Sequence, residues 1–494
     1  MQYTFNSEDN DMKKKIILLT IIICTLLCAC QPKNPNAAMA TVTGSEPQGS
    51  VTDEFVSPAD EEPPPYDIPM TDGTEASSIF AVPTTGAAAT VTVTAGSRVT
   101  SPATKPHTTA VKPTSPAPKP TEQPQTASGK KIYGVWISCY DHPSAAGKTA
   151  EEYRAATDAM FKKISDFGLN TAFVHMVAFS DAFYKSDIYP YSSYIAGKEG
   201  ASLSFDPFAV LLSSAKKYGV EVHGWINPFR VSHKNDPSLL SAKNPAKLIL
   251  DSGNADGDVC ILPNGIYYNP ASPAVHARII SGVKEILGKY DIAGIHIDDY
   301  FYPSTDKSVD EKQYSAYTAK GGKLSLKDWR ISSVNAFVSS LYSAVKAVDP
   351  SLTVSISPAA QRDKNKNTLY ADCDLWLSTS GYADIIIPQI YFGFRHEKCD
   401  FNSMLAQWGG LKRHSGMRLL CGLAAYKCGK EDKYAGSGSK EWLESSDIML
   451  RQAQSIAANK NYDGFVVYSY SDLSRKSCSE EMKQLREYIK NNGN

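Results

Sequence analysis

The chain has 494 residues and a formal net charge of −1, with 42% hydrophobic and 21% charged residues. These values exclude a fibrous repeat and a wholly disordered acidic or basic chain, and they allow a sizeable globular core. The near-neutral charge provides no basic surface for a nucleic acid backbone, so we expect no nucleic acid partner. Proline is concentrated in one stretch, because 16 of the 29 prolines fall between residues 31 and 130. That stretch divides the chain into three zones.

The first zone, residues 1–30, has the organisation of an export signal. Lysines at 13–15 precede an apolar run, residues 16–29, which is too short to span a bilayer but suits the core of a signal peptide. The run ends in Leu27-Cys28-Ala29-Cys30, which resembles a bacterial lipobox and predicts lipidation at Cys30. We therefore expect an extracytoplasmic protein that binds the membrane through a lipid anchor. An uncleaved N-terminal membrane anchor is the alternative, and it predicts the same side of the membrane.

The second zone, residues 31–130, is rich in Pro, Thr, Ser and Ala and has few large apolar residues. Such a segment cannot bury enough apolar surface to offset the entropy of ordering its chain. We predict a disordered linker that acts as a spacer between the membrane and the domain that follows.

The third zone, residues 131–494, alternates β-branched and aromatic runs with segments of helical periodicity, as in repeated βα units. The apolar periodicity of two intervening helices ends at Gly168 and Gly219, a helix stop signal. Because no Gly-rich phosphate fingerprint follows any strand, we prefer an α/β (β/α)8 TIM barrel with enlarged βα loops to a doubly wound sheet. The eight predicted strands are residues 133–138, 171–177, 220–227, 292–298, 352–357, 384–391, 418–424 and 464–470.

Two further features bear on the loops and on cofactors. The largest predicted insertions, residues 231–270 and 303–327, follow strands three and four and should stand over the face where barrel active sites are built. The seven cysteines after residue 130 are scattered and odd in number, so we expect small buried hydrophobic residues rather than a disulfide framework. Neither an HExxH motif nor an EF-hand loop is present, and we expect no metal and no cofactor.

The strongest chemical signal is the fourth strand, which runs from Gly294 into two carboxylates and three aromatic rings before Pro303. Side chains alternate along a strand, so the isoleucines should face the helices while His296 and Asp298 face the barrel interior. Asp298 is therefore the first predicted catalytic carboxylate, and Asp299 is the second.

Other strand ends add polar and aromatic groups suited to a sugar ring. An inward Trp and Asn on strand three offer a stacking surface and a hydrogen-bonding amide. Such groups at the ends of four strands together predict a binding site. The predicted substrate-binding residues are His223, Trp225, Asn227, His296, Tyr300, Gln389, Tyr391 and Tyr468.

Several segments resemble the glycosyl-hydrolase-like 10 family of bacterial lipoproteins, in the family's order. They are residues 181–186, 225–231, 269–270, 294–303, 328–330 and 388–391. The resemblance implies a (β/α)8 glycoside hydrolase-type domain outside the membrane, with peptidoglycan glycan strands, particularly those without stem peptides, as the leading substrate. Strand two departs from the family pattern, since Val174-His175-Met176-Val177 replaces the usual Gln-Val-Arg. Carried over residue by residue, the resemblance places at the site Asp298, Asp299, Asn227, Arg230, Gln389 and Tyr391.

Glycoside hydrolysis normally needs one carboxyl group to protonate the leaving oxygen and another to act as nucleophile or base. Our hypothesis makes Asp298 the nucleophile or the group that stabilises the oxocarbenium-like transition state. The acid is open, and its pKa should be raised by surrounding rings. The candidates for it are Asp299, Asp141, Asp181, Asp310 and Glu311.

Three alternatives remain open from the sequence. The Asp298–Asp299 pair could be structural, capping a turn or binding Arg230 or Arg330. A barrel without catalysis could bind cell-wall glycan. A hydrolase of a nutrient polysaccharide would have the same barrel chemistry and a different polysaccharide substrate.

Overall fold

The computed structural model describes residues 129–492. The predicted signal peptide and all but the last two residues of the predicted linker lie outside this range, as does Cys30. Within the described range, no helix combines the length and the apolar character needed to cross a membrane.

All eight predicted strands are present and parallel, and they form the barrel of the predicted fold. Helices follow the strands, so the βα alternation expected from the sequence is confirmed. Six of the eight are continuous strands, which we label β1 (Ile132–Ile137), β2 (Thr171–Val177), β3 (Glu221–Ile226), β7 (Gly294–Ile297), β8 (Thr353–Ile356) and β12 (Gly464–Tyr468).

The sixth and seventh barrel strands are short or split. The sixth has only β9 (Ile385–Ile386) as regular strand because Pro388 has no amide to donate, and Gln389 then pairs singly with its neighbours on both sides. The seventh consists of β10 (Arg418–Leu419), paired with β9, and β11 (Cys421–Ala424), paired with β12. Since β12 also pairs with β1, the ring of strands closes through this split strand.

The first helix around the barrel begins and ends where its cap residues predict. Thr149 and Glu152 form a capping box at the start of the first helix, and Gly168 ends it with φ 97°, a backbone conformation that favours glycine. The main helices are α1 (Ala150–Phe167), α2 (Ser193–Ala196), α3 (Pro207–Lys217), α4 (Pro245–Asp251), α5 (Pro273–Lys289), α6 (Glu311–Ala319), α7 (Leu326–Val348), α8 (Arg362–Asn367), α9 (Cys373–Ser378), α10 (Phe401–Gly409), α11 (Glu441–Glu444), α12 (Ile448–Ala458) and α13 (Ser479–Asn492).

The two predicted insertions contain structure of their own. The loop after β3 carries a three-stranded antiparallel sheet, and the loop after β7 carries α6. The small sheet consists of β4 (Arg230–Ser232), β5 (Val259–Leu262) and β6 (Gly265–Tyr268), with β6 in the middle. Its first residue, Arg230, thereby enters the region above the barrel.

Two of the three apolar clusters in residues 129–492 pack against the two faces of the barrel strands. The larger lies between the strands and the helices and includes Ile295 and Ile297, as the alternation along β7 predicts. The smaller fills the barrel interior with large rings, among them Trp136, Phe173 and Trp225. Six of the seven cysteines in the described range are buried and all are free thiols, in agreement with the prediction that most are small buried hydrophobic residues.

Candidate active site

The site lies at the carboxyl ends of the strands. Because β7 ends at Ile297, Asp298 and Asp299 follow the last regular strand residue, and both can face the mouth of the barrel. Asp298 is 2% exposed, whereas Asp299 is partly exposed. The two neighbouring carboxyl groups therefore have different surroundings.

Asp298 is surrounded by hydrogen-bond donors. The indole Nε1 of Trp225 donates to Asp298 Oδ2 at 3.2 Å, and the backbone amide of Tyr300 donates to Oδ1 at 3.4 Å. The hydrogen-bond network assigns the Asn227 amide with its nitrogen toward Asp298, where it donates to Oδ1 at 2.9 Å and also contacts Oδ2. The positive charge of Arg230 also favours the anion at this position. Both oxygens thus accept hydrogen bonds, as an ionised carboxylate requires.

Asp299 has fewer partners. Gln389 donates to Asp299 Oδ1 at 3.1 Å and, through the same nitrogen, to the backbone oxygen of Ser357 at 2.9 Å. Lys364 on α8 is close enough for its charge to lower the pKa of Asp299. Asp299 is also more exposed than Asp298, so its carboxyl group is accessible to substrate from the mouth of the barrel.

Burial sets the net ionisation of the pair. It raises the pKa of Asp298 and of Asp299 above the ordinary range, and the charge of Asp299 raises that of Asp298 further. Two coupled carboxyl groups in one buried site favour a state that holds a single proton. Since the donors are concentrated on Asp298, we place the negative charge there and the proton on Asp299.

Arg230 lies between two aromatic rings. Its guanidinium carbon is 4.2 Å from the ring centroid of Tyr300 and 4.6 Å from that of Phe179. This double stacking fixes the plane of the guanidinium beside Asp298 and covers it from water.

The opposite side of the mouth is aromatic. The rings of Tyr391 and Tyr468 are 6.0 Å apart, and Tyr426 lies edge-on to both at 5.9 and 6.0 Å. Trp136 from β1 packs beneath them, 6.4 Å from Tyr391 and 6.2 Å from Tyr468. Such a set of rings beside carboxyl groups offers stacking surfaces for pyranose rings.

His223 and His296 lie elsewhere than at the mouth. His296 is fully buried in the barrel, where Nε2 accepts from Trp136 at 3.0 Å and Nδ1 bonds Ser355 at 2.9 Å. His223 is 1% exposed and bonds Glu221 near the start of β3, about 13 Å of strand below Asn227. The alternation of side chains identified the correct face of each strand, but it carries no information on depth in the barrel.

The other candidate acids have structural partners. Asp310 forms a bidentate ion pair with Arg330 at 2.7 Å for both contacts, so Arg330 does not bind Asp298 or Asp299. Asp141 accepts from the amides of Ser138 and Ser471, which ties the loop after β1 to the loop after β12.

Asp181 and Glu311 also differ from the Asp298–Asp299 pair in their surroundings. Asp181 accepts from the Phe179 amide at 2.9 Å, and its burial raises its pKa to about 6. Glu311 is exposed at the start of α6. Of the five candidates, Asp299 is the one directly beside Asp298.

Four residues that contribute to the site are absent from the sequence prediction. Phe179, Tyr426 and Lys364 belong to loops or a short helix, whose approach to the mouth depends on tertiary packing. The fourth, His175 on β2, stacks on Trp225 with ring centroids 3.4 Å apart. Its inward position follows from the alternation along β2, so the sequence does contain a signal for it.

The fold and site define a class: a (β/α)8 barrel with buried carboxyl groups among aromatic rings at its mouth, of the glycoside hydrolase-like type. Residues 131–437 match the family model described as Glycosyl hydrolase-like 10, and the chain belongs to this family. This confirms the resemblance found in the sequence.

Relatives support the same assignment. The chain is 30% identical over 370 residues to the glycosyl hydrolase YngK of Bacillus subtilis (strain 168), which covers 70% of each chain. It is 28% identical over 397 residues to the glycosyl hydrolase DigH of Escherichia coli (strain K12), covering 73% of this chain and 87% of that protein. Among solved structures, the PgaB (BpsB) glycoside hydrolase domain from Bordetella bronchiseptica matches 72% of this chain and 98% of its own, at 13% identity and a TM-score of 0.49.

Proposed function

We propose that this protein is a glycoside hydrolase that cleaves O-glycosidic bonds in a polysaccharide outside the cytoplasm, with peptidoglycan glycan strands as its substrate. The observation that carries the proposal is the pair Asp298 and Asp299, in which Asp298 is buried and surrounded by donors, while its neighbour is more exposed and accepts a hydrogen bond from Gln389. A single proton shared by such a pair supplies both an acid and an anion.

The two carboxyl groups take different roles in this proposal. Asp299 holds the proton and donates it to the leaving oxygen, because it is the more exposed carboxyl group of the pair and Gln389 fixes its position. Asp298 remains ionised and stabilises the positive charge that develops on the sugar ring. A water molecule then adds to the anomeric carbon and gives a proton to Asp299, which restores the starting state of the pair. Arg230 and the tyrosines beside the pair bind the sugars on either side of the cleaved bond.

The choice of peptidoglycan as substrate rests on the resemblance to the family and on the predicted location of the protein outside the cytoplasm. A lipid anchor at Cys30 and a long linker would place the barrel at the outer face of the membrane, within reach of the cell wall. The experiment compares product release by the purified chain from intact peptidoglycan, from glycan strands without stem peptides, and from starch as a nutrient polysaccharide. Release from the stripped strands supports the proposal, and release from starch alone contradicts the substrate assignment.

A glycan-binding barrel without catalysis is the second candidate function. One observation favours it: Asp141, Asp181 and Asp310 are engaged in structural contacts and Glu311 is exposed on a helix, so of the candidate acids in residues 129–492 only Asp299 lies beside Asp298 for the chemistry. Tight binding of stripped glycan strands with no release of product would establish this function instead.

A further inference from the structure

His175 on β2 lies beneath Asp298 and contacts two of its donors. Its ring stacks on the Trp225 indole, with centroids 3.4 Å apart and planes 14° from parallel. Its side chain is also within hydrogen-bonding reach of the Asn227 amide. Trp225 and Asn227 are the two residues whose side chains donate to Asp298.

The backbone fixes the tautomer of the His175 ring. The amide of Cys139, at the end of the neighbouring strand β1, donates to His175 Nδ1 at 3.0 Å. Burial lowers the pKa of His175 well below its ordinary range, and the nearby His142 lowers it further, so the ring is neutral. A neutral ring whose Nδ1 accepts a hydrogen bond must carry its proton on Nε2.

The Nε2 proton in turn fixes the Asn227 amide. An amide whose oxygen accepts from Nε2 has its nitrogen toward Asp298. In the opposite orientation, the amide nitrogen donates a long hydrogen bond to the backbone oxygen of Ala178 at 3.4 Å, but the buried Nε2 has no hydrogen-bond partner within residues 129–492 and the amide oxygen faces the carboxylate. Both consequences cost free energy, since buried polar groups need partners.

We propose that His175 is a positioning residue for Asp298. The hydrogen bond from the Cys139 amide fixes the tautomer of His175, and this tautomer fixes the orientation of the Asn227 amide. The His175 ring also holds Trp225 in place by stacking. The proposal rests on the proposed function in one respect, because it makes Asp298 the anion that acts in catalysis. It assigns a role to β2, the strand whose sequence departs from the family pattern and whose part in the site the sequence alone does not define.

The first test needs no substrate. The full chain is labelled with 15N-histidine, and the His175 ring signals are identified by their loss in His175→Phe. We expect an Nε2–H tautomer with an unprotonated Nδ1 across the pH range in which the protein is folded. Asn227→Ala should shift the Nε2–H proton and speed its exchange with water. An Nδ1–H tautomer, or signals unchanged by Asn227→Ala, would overturn the proposed hydrogen-bond link from Cys139 through His175 to Asn227.

The second test separates positioning from general stability through the pH profile of glycan hydrolysis. His175→Phe keeps a ring over Trp225 but has no donor for Asn227, so the pKa of Asp298 should rise. The acid limb of kcat/KM should then move to higher pH by about one unit. His175→Gln restores a donor and should move the limb less.

The matched control is His276→Phe, because His276 is a largely buried ring that packs 5.1 Å from Phe337 and bonds Pro270 outside the barrel mouth. Its acid limb should coincide with that of the native chain. An equal shift in His276→Phe, or a loss of rate in His175→Phe with no shift, would reduce His175 to a packing role. If no glycan is hydrolysed by the native chain, the proposed function fails. The tautomer measurement still tests the hydrogen-bond link from Cys139 through His175 to Asn227.

Discussion

Trp225 donates its indole N–H to Asp298 at 3.2 Å from one residue layer lower in the barrel. In the strand register, Trp225 pairs with His296, so Asp298 lies two residues further along the chain, just past the end of β7. The large ring therefore supports the carboxylate from below, and substrate approaches from the mouth. This relationship makes Asp298 a buried anion on a rigid aromatic base, and the predictions below follow from it.

Asp298→Asn should increase the free energy of unfolding at neutral pH. Burial raises the pKa of Asp298 in the folded state, so the folded protein binds this proton more tightly than the unfolded chain. Native stability is thus fullest below the unfolded pKa, about 3.9, and falls as the pH rises through the folded value. Chemical denaturation should show that the unfolding free energy of the variant, relative to that of the native chain, is higher at pH 7 than at pH 4 by roughly 1 kcal/mol or more. A variant less stable than the native chain at pH 7 would contradict the assignment of a raised pKa.

Lys364→Met should extend activity to higher pH. The Lys364 charge lowers the pKa of Asp299, and its removal lets that pKa rise. Because the proposed mechanism requires Asp299 to be protonated, the basic limb of the pH–rate profile should move to higher pH by less than about one pH unit. Lys366→Met, an exposed change on the same helix, is the control and should leave the limb in place. A shift to lower pH would mean that Asp299 acts as a base.

Arg230→Lys should lower kcat/KM on glycan by about 10-fold while the fold is kept. A lysine retains the charge but loses the planar group that stacks between Phe179 and Tyr300. Arg451→Lys is the matched control, since Arg451 stacks at 4.6 Å on Phe394 away from the carboxylates. Steady-state kinetics compares the two variants, and equal losses would show that the effect is not specific to the site.

Asp310→Asn should destabilise the barrel without acting on catalysis directly. It leaves Arg330 buried and without its charge partner, which typically costs about 3–5 kcal/mol of unfolding free energy. Asp374→Asn removes a half-exposed ion pair with Arg362 and should cost at most about 1 kcal/mol. Urea denaturation measures both values. Similar small losses would mean that the Arg330 pair is screened by solvent.

The strands and the inward face were accessible from the sequence because their signals are local. β-Branched runs with glycine stops defined eight strands, and a period of two placed Trp225, Asn227 and Asp298 on the barrel side. The same period selected His223 and His296, which share that face but lie in lower layers. Alternation repeats at every depth, so it could not separate the mouth from the interior.

The remaining site residues depend on contacts between distant segments. Lys364 reaches Asp299 from a helix after β8, and Phe179 reaches Arg230 only because the small sheet brings Arg230 over the mouth. The ion pair of Asp310 also joins separate segments, since its partner Arg330 is 20 residues away on α7. Spacing along the chain carries none of this geometry, and the choice among the candidate acids required the folded structure.

The most direct test of the account measures product release from stripped glycan strands by the native chain, Asp298→Asn and Asp299→Asn, with folding checked by circular dichroism. The account predicts a loss of at least about 100-fold in each variant. It also predicts that glycan still binds, because Arg230 and the tyrosines remain. Native rates in either folded variant would contradict the assignment of the Asp298–Asp299 pair as the catalytic centre.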